Sequence, residues 1–94
     1  MSEVVNKAVE KLNERLGGFE NTAKFVIEEE GAIMIDADGA RAGDEEAEVT
    51  LIASRETFEG ILDGSENPTS AFMTGKLKIE GSMPLAMQLG AALS

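Results

Sequence analysis

The chain has 94 residues, 18 acidic and 8 basic side chains, a formal net charge of −10, and no cysteine, histidine, tyrosine or tryptophan. These counts exclude disulfides, thiol and imidazole chemistry and the usual zinc ligands. Nucleic acids and anionic membrane surfaces would be repelled by the whole molecule, and the length is that of a single domain, 1–94, with a core of thin margin.

Ser2 is placed to cap a first helix in which Val5, Ala8, Val9, Leu12 and Leu16 recur at helical spacing, and Gly17-Gly18 ends it. The period then changes to two. Over 22–28, Ala23, Phe25 and Ile27 alternate with Thr22, Lys24, Val26 and Glu28, which predicts a strand. After the turn at Glu29-Glu30-Gly31, Ile33, Ile35 and Ala37 alternate with Met34 and Asp36 in a second strand. Asp38-Gly39 is a two-residue hairpin signal that returns a short strand near 40–43. A further strand is predicted over 47–53, where Val49 and Leu51 alternate with Glu48 and Thr50.

Helical signals return beyond Ala53. Ser54 caps a helix with Phe58, Ile61 and Leu62 on its apolar side, and Gly64 stops it. Asn67-Pro68 is a cap followed by proline at the first helical position, and Gly75 closes that short helix. Lys76 to Glu80 reads as a strand with Leu77 and Ile79 inward, and Pro84 opens a final helix. The pattern gives an α+β fold, a five-stranded mostly antiparallel sheet with helices packed on one face. On the sheet's other face Val26, Met34 and Ile52 interrupt polar positions and could align into an apolar patch, a weak dimer contact.

Each constellation of reactive residue types has an ordinary explanation. Asp36, Asp38, Gly39 and Glu45 fit four positions of a calcium loop, but Met34 stands at the first ligand position and the flanks read as strands. Glu28-Glu29-Glu30 and Asp44-Glu45-Glu46 read as solvated turns, and Lys76 and Lys78 as the polar side of a strand. Ser54 is a helix cap with no histidine to activate it. No cofactor, metal or catalytic residue is expected, and nothing in the pattern supports an enzyme.

Charge is spread unevenly. Residues 1–66 carry 17 acidic and 6 basic side chains, whereas 67–94 carry Glu80 against Lys76 and Lys78. From Met83 to Leu93 the only polar side chain is Gln88. Such a segment is too short to cross a bilayer and must be covered on every side. Leu85, Leu89 and Ala92 share one face of the predicted helix, suited to packing on the sheet. Met83, Met87, Gly90 and Ala91 share another, and flexible methionines beside small residues suit a surface that adapts to varied apolar shapes. Plain core packing would use the same residues.

The run Phe72-Met73-Thr74-Gly75-Lys76-Leu77-Lys78-Ile79-Glu80-Gly81-Ser82-Met83, continuing to Ala86, Met87 and Leu89, resembles the C-terminal signature of the sterol carrier protein type 2 family. Phe58-Glu59-Gly60-Ile61-Leu62-Asp63-Gly64 is similar to the family's preceding helix, and the order of elements agrees over essentially the whole chain. The resemblance implies a sheet under helices enclosing a hydrophobic tunnel that holds a lipid, without catalysis of its own. It implies that Phe72, Leu77 and Ile79 face the interior and that the final helix lies across the tunnel. With the apolar faces above, the candidate ligand-binding residues are Phe58, Ile61, Leu62, Phe72, Met73, Leu77, Ile79, Met83, Met87 and Ala91.

The chain departs from the family pattern in being shorter, which predicts a smaller or open-ended tunnel. The start MSEVVNKAVEKL lacks a signal peptide's apolar core, and the end Ala92-Leu93-Ser94 replaces the peroxisomal Ser-Lys-Leu; both predict a cytoplasmic location. The ligand expected is a fatty acid, fatty acyl-CoA or sterol-like molecule, with fatty acyl chains preferred to sterol. The partner is thus a lipid-like small molecule, with no nucleic acid, no stable membrane insertion and a monomeric chain. The alternative is an interaction or accessory module whose apolar end buries against a partner or a second copy.

Overall fold

The computed structural model describes residues 3–16 and 18–93; the Ser2 cap and the Gly17 half of the helix stop lie outside them. The elements run α1 (Glu3–Arg15), β1 (Ala23–Ile27), β2 (Gly31–Asp36), β3 (Gly39–Ala42), β4 (Val49–Ala53), α2 (Arg55–Asp63), α3 (Pro68–Met73), β5 (Leu77–Gly81) and α4 (Met83–Leu93). They form one five-stranded sheet, order β3-β2-β1-β4-β5, under a layer of helices, the α+β class predicted from the periodicities.

Alternation along the strands decides which side chains meet the helices. In β1, Ala23, Phe25 and Ile27 are buried while Lys24 and Val26 are half-buried. Register carries the same face across the sheet: Phe25 stands beside Ile33 of β2 and Leu51 of β4, and Leu51 beside Ile79 of β5. Over this face lie Val5, Ala8 and Leu12 of α1, Phe58, Ile61 and Leu62 of α2, and Ala86, Leu89 and Leu93 of α4. The rings of Phe25 and Phe58 are 4.9 Å apart and tilted by 60°, so sheet and helix layer interlock at the centre of the core.

One pairing was not foreseen. β1 and β4 are parallel, whereas the other three pairings are antiparallel. The chain leaves β3 at one edge, passes β2 and β1, and enters β4 beyond them; local turn signals fix hairpins but not the neighbour of a strand reached by a crossover. Residues 43–48 make that passage, so β4 begins at Val49 and not at 47. Gly43 N–H donates to the Ala32 carbonyl at 3.1 Å, Lys24 pairs with Asp44 at 2.9 Å, and Glu45 N–H approaches the Met34 sulfur at 3.4 Å. Met34 is thereby covered to 3% exposure and does not join the patch expected on that face. Val26 and Ile52 are register partners and half-buried.

The β2–β3 turn also differs in detail. Asp36 pairs with Gly39, so Ala37 and Asp38 occupy the turn, Ala37 is exposed outside the strand, and Gly39 is the first paired residue. Asp36 accepts from Asp38 N–H at 3.0 Å, a side-chain turn of the kind aspartate favours. Gly39, at φ +114°, leaves room for Asn13, whose side-chain oxygen lies 2.5 Å from where a Cβ would stand. Asn13 then accepts from Ala40 N–H at 2.8 Å and donates to the Ala40 carbonyl at 3.0 Å. A helix side chain thus occupies backbone groups that an edge strand would otherwise leave open.

Candidate ligand-binding site

α4 is fixed at its first turn by the backbone. Ser82 N–H donates to the Glu48 carbonyl at 3.1 Å, and the Ser82 hydroxyl accepts from Leu85 N–H at 3.4 Å, an N-cap that the sequence reading passed over. Gly81, at φ +94°, permits this approach, because a Cβ there would sit 2.4 Å from the same Glu48 carbonyl. The buried face of α4 is Ala86, Leu89, Gly90 and Leu93. This corrects the face read from the sequence: Leu85 is half-buried, Ala92 is exposed, and Gly90, assigned to the opposite side, points inward. Small residues at 86 and 90 let the helix lie close to α3, where a Cβ on Gly90 would stand 3.5 Å from Pro68.

Between α4, α3 and the β4–β5 end of the sheet is an apolar cavity of about 20 Å³, lined by Leu51, Pro68, Phe72, Leu77, Ile79 and Met87, with Thr69, Ala86 and Gly90. That is little more than one water requires and far below the 300 Å³ or more of a typical ligand pocket. Among the described residues, the four large hydrophobic side chains that stand exposed fall in this part of the chain: Phe72 at 38%, Met73 at 79%, Met83 at 40% and Met87 at 51%. Among the described residues no polar or charged side chain is buried, so the interior offers contacts only to an apolar group.

A second concavity, a groove of about 240 Å³, runs between α1 and α2. Val4, Ala8, Phe58 and Leu62 line it, with Lys7, Lys11, Arg55 and the acids Glu3, Glu59 and Asp63 around them. Arg55 is paired with Glu59 at 2.9 Å, which raises the guanidinium further above its ordinary value. Hydrogen bonds from Ser65 hold the Asp63 carboxyl below the usual carboxylate range.

The residues singled out from the sequence therefore divide. Phe72, Leu77, Ile79 and Met87 meet at the cavity under α4, while Phe58 and Leu62 line the α1–α2 groove. Ile61 is core at 2% exposure, and Met73, Met83 and Ala91 are exposed without lining either concavity. Sequence reasoning put Gly90 on the ligand side of the last helix, where it does line the cavity, but missed Leu51, Pro68, Thr69 and Ala86 there and all of α1 at the groove. The lysines of α1 look like an ordinary solvated face until α2 is laid beside them.

The arrangement defines an α+β domain with a mixed sheet, a helical cover and a small apolar cavity beneath its last helix. The chain belongs to the SCP-2 sterol transfer family, whose model matches residues 3–94. It is 34% identical over 80 residues to sterol carrier protein 2 of Rattus norvegicus, covering 84% of this chain and 14% of that protein. It is 48% identical over 52 residues to peroxisomal multifunctional enzyme A of Dictyostelium discoideum, covering 55% of this chain and 12% of that protein. The chain thus spans only a small part of either relative. Among solved structures it resembles the solution NMR structure of sterol carrier protein 2 from Aedes aegypti in complex with C16 fatty acid (palmitate). The TM-score is 0.79 at 20% identity, covering 100% of this chain and 97% of that one, which shows a shared fold.

Proposed function

We propose that the protein is a non-enzymatic carrier that holds one lipid-like molecule of the fatty acyl class between its sheet and helices α3 and α4. The observation that carries this reading is the small apolar cavity beneath α4 that Phe72 and Met87 line while standing exposed, with Met73 and Met83 exposed on the same two helices. Ligand entry requires α4 or α3 to move outward, and the methionines supply an adaptable lining for chains of different shape. The palmitate named with the Aedes aegypti relative supports the same ligand class. Burying about ten methylenes contributes roughly 8 kcal/mol before the costs of association, enough for micromolar binding.

No helix among the described residues is long and apolar enough to cross a membrane. We place the protein in the cytoplasm as part of the same proposal, which cell fractionation tests. Native mass spectrometry of the purified protein, followed by solvent extraction, is the decisive measurement for binding. A monomer carrying a small apolar molecule supports a carrier, and an empty oligomer would make the apolar end an interaction surface instead.

A further inference from the structure

The chain's composition decides where an oxidant can act. With no cysteine, histidine, tyrosine or tryptophan, its five methionines are the side chains that a hydroperoxide attacks. Three of the five sit on the two helices that cover the cavity: Met73 ends α3, and Met83 and Met87 stand about one turn apart on α4. Unequal exposure orders their reactivity. Met73 and Met87 are 79% and 51% exposed, whereas Met34 is 3% exposed, covered by the 43–48 crossover with Glu45 N–H against its sulfur. Among the described methionines, Met87 alone is both open to solvent and part of the cavity wall.

Oxidation at that position changes the chemistry of the wall. A sulfoxide is polar, and it replaces the adaptable apolar thioether. Of the described lining residues only Thr69 carries a side-chain donor; Leu51, Phe72, Leu77 and Ile79 offer a sulfoxide oxygen nothing. The oxidised side chain therefore turns toward water through the exposed side of Met87 and takes its apolar contacts out of the wall. We infer that Met87 is an oxidation site at which a hydroperoxide weakens the protein's hold on its lipid. The terminal oxygen of ROOH is transferred to the sulfur: the O–O bond breaks, an S–O bond forms and the thioether loses two electrons. The hydroperoxide's proton passes to the departing oxygen, giving ROH. Reduction by two thiols, with formation of a disulfide and loss of water, restores the thioether. This rests on the carrier reading, because the cavity must hold a lipid before its wall can release one.

The test uses hydrogen peroxide as oxidant and oleate as ligand, on the intact protein and its Met87→Leu and Met73→Leu variants. Peptide mass spectrometry follows each methionine as the dose is raised, and melting curves are recorded on the same samples. Affinity is compared before and after peroxide within each protein, so any effect of a substitution on binding itself cancels. The unmodified protein and M73L should lose roughly three- to tenfold in affinity, the scale set by a polar group that an apolar site cannot satisfy. Treatment with the two stereospecific methionine sulfoxide reductases should restore it. M87L should keep its affinity through the same treatment. Four results overturn the assignment and leave the carrier reading standing: Met87 converted with affinity unchanged, an equal loss in M87L, Met34 reacting before Met87, or unfolding at the dose that oxidises Met87. Absence of oleate binding by the untreated protein overturns both.

Discussion

The Arg15 guanidinium at the end of α1 donates to the carbonyl of Leu93 at 2.6 Å, joining the first helix to the last turn of α4. The carbonyls of a helix's last turn have no partner within the helix, and a cation there also suits the helix dipole. With Ser82 fixed at its other end, α4 is held at both termini while its middle covers the cavity. Arg15→Ala should cost about 1.5 kcal/mol, the low end for a hydrogen bond to a charged group, because Arg15 is exposed. Amide exchange over 83–93 should rise and fatty-acid uptake should quicken. Unaltered exchange in that segment would show that Arg15 does not restrain the helix.

Phe58 is 1% exposed and its ring meets Phe25, so it joins the helix layer to the sheet at the centre of the core. Phe58→Ala should lose about 3–5 kcal/mol in urea denaturation, a large share of the stability of a domain this size. A loss near 1 kcal/mol would mean that α2 collapses into the space.

Asp36 lies beside Arg41 at the sheet edge, and the hydrogen bond from Arg41 holds its carboxyl below the ordinary value of 3.8. A depressed folded-state value means stability present above the unfolded pKa and lost as pH falls through the folded one. The melting curves of the unmodified protein and Asp36→Asn should therefore differ modestly above the ordinary value of 3.8 and converge only as pH falls through the folded-state value, which lies below it. Convergence in the neutral range would remove the pair from the acid limb.

The elements were legible because each carries its own signal. Alternation at 23–27, the Asn67-Pro68 cap and the α1 heptad-like spacing are local facts, and the structure keeps them. What was not legible depends on elements meeting at a distance. The parallel β1–β4 pairing follows from the crossover at 43–48, and the burial of Met34 follows from the same segment lying over it. For α4 the trouble was different: a helix apolar all round gives no moment to choose a face. Close approach to Pro68 brought Gly90 inward where leucine spacing favoured Leu85 and Ala92. The groove between α1 and α2 exists only once the two helices lie side by side, so no local pattern in either helix marked it.

Gly90 lines the cavity inside a helix, and a Cβ there would stand 3.5 Å from Pro68, an ordinary contact. Gly90→Ala should stabilise the protein by up to about 1 kcal/mol through helix propensity. The added methyl closes the α3–α4 seam, so fatty-acid affinity should fall as melting temperature rises. A rise in both would place the ligand elsewhere.

Met87 is the last case, because it lines the cavity under α4 and is still 51% exposed. A close-packed core side chain would answer enlargement with about 1–3 kcal/mol of overpacking strain. A half-exposed one has solvent to expand into. Met87→Trp should therefore leave the melting temperature within a few degrees of the unmodified protein, while the indole lies over Phe72 and Ile79 and blocks the cavity mouth. Saturable uptake of a fluorescent fatty acid should drop severalfold on the same sample. Retained uptake with unchanged melting would mean that the ligand enters without passing α4, and the α1–α2 groove would then be the entrance. A steep fall in melting temperature would show that Met87 bears on the core despite its exposure, and the variant Met87→Leu would then separate packing from binding. Leucine keeps the volume, so its uptake should match that of the unmodified protein.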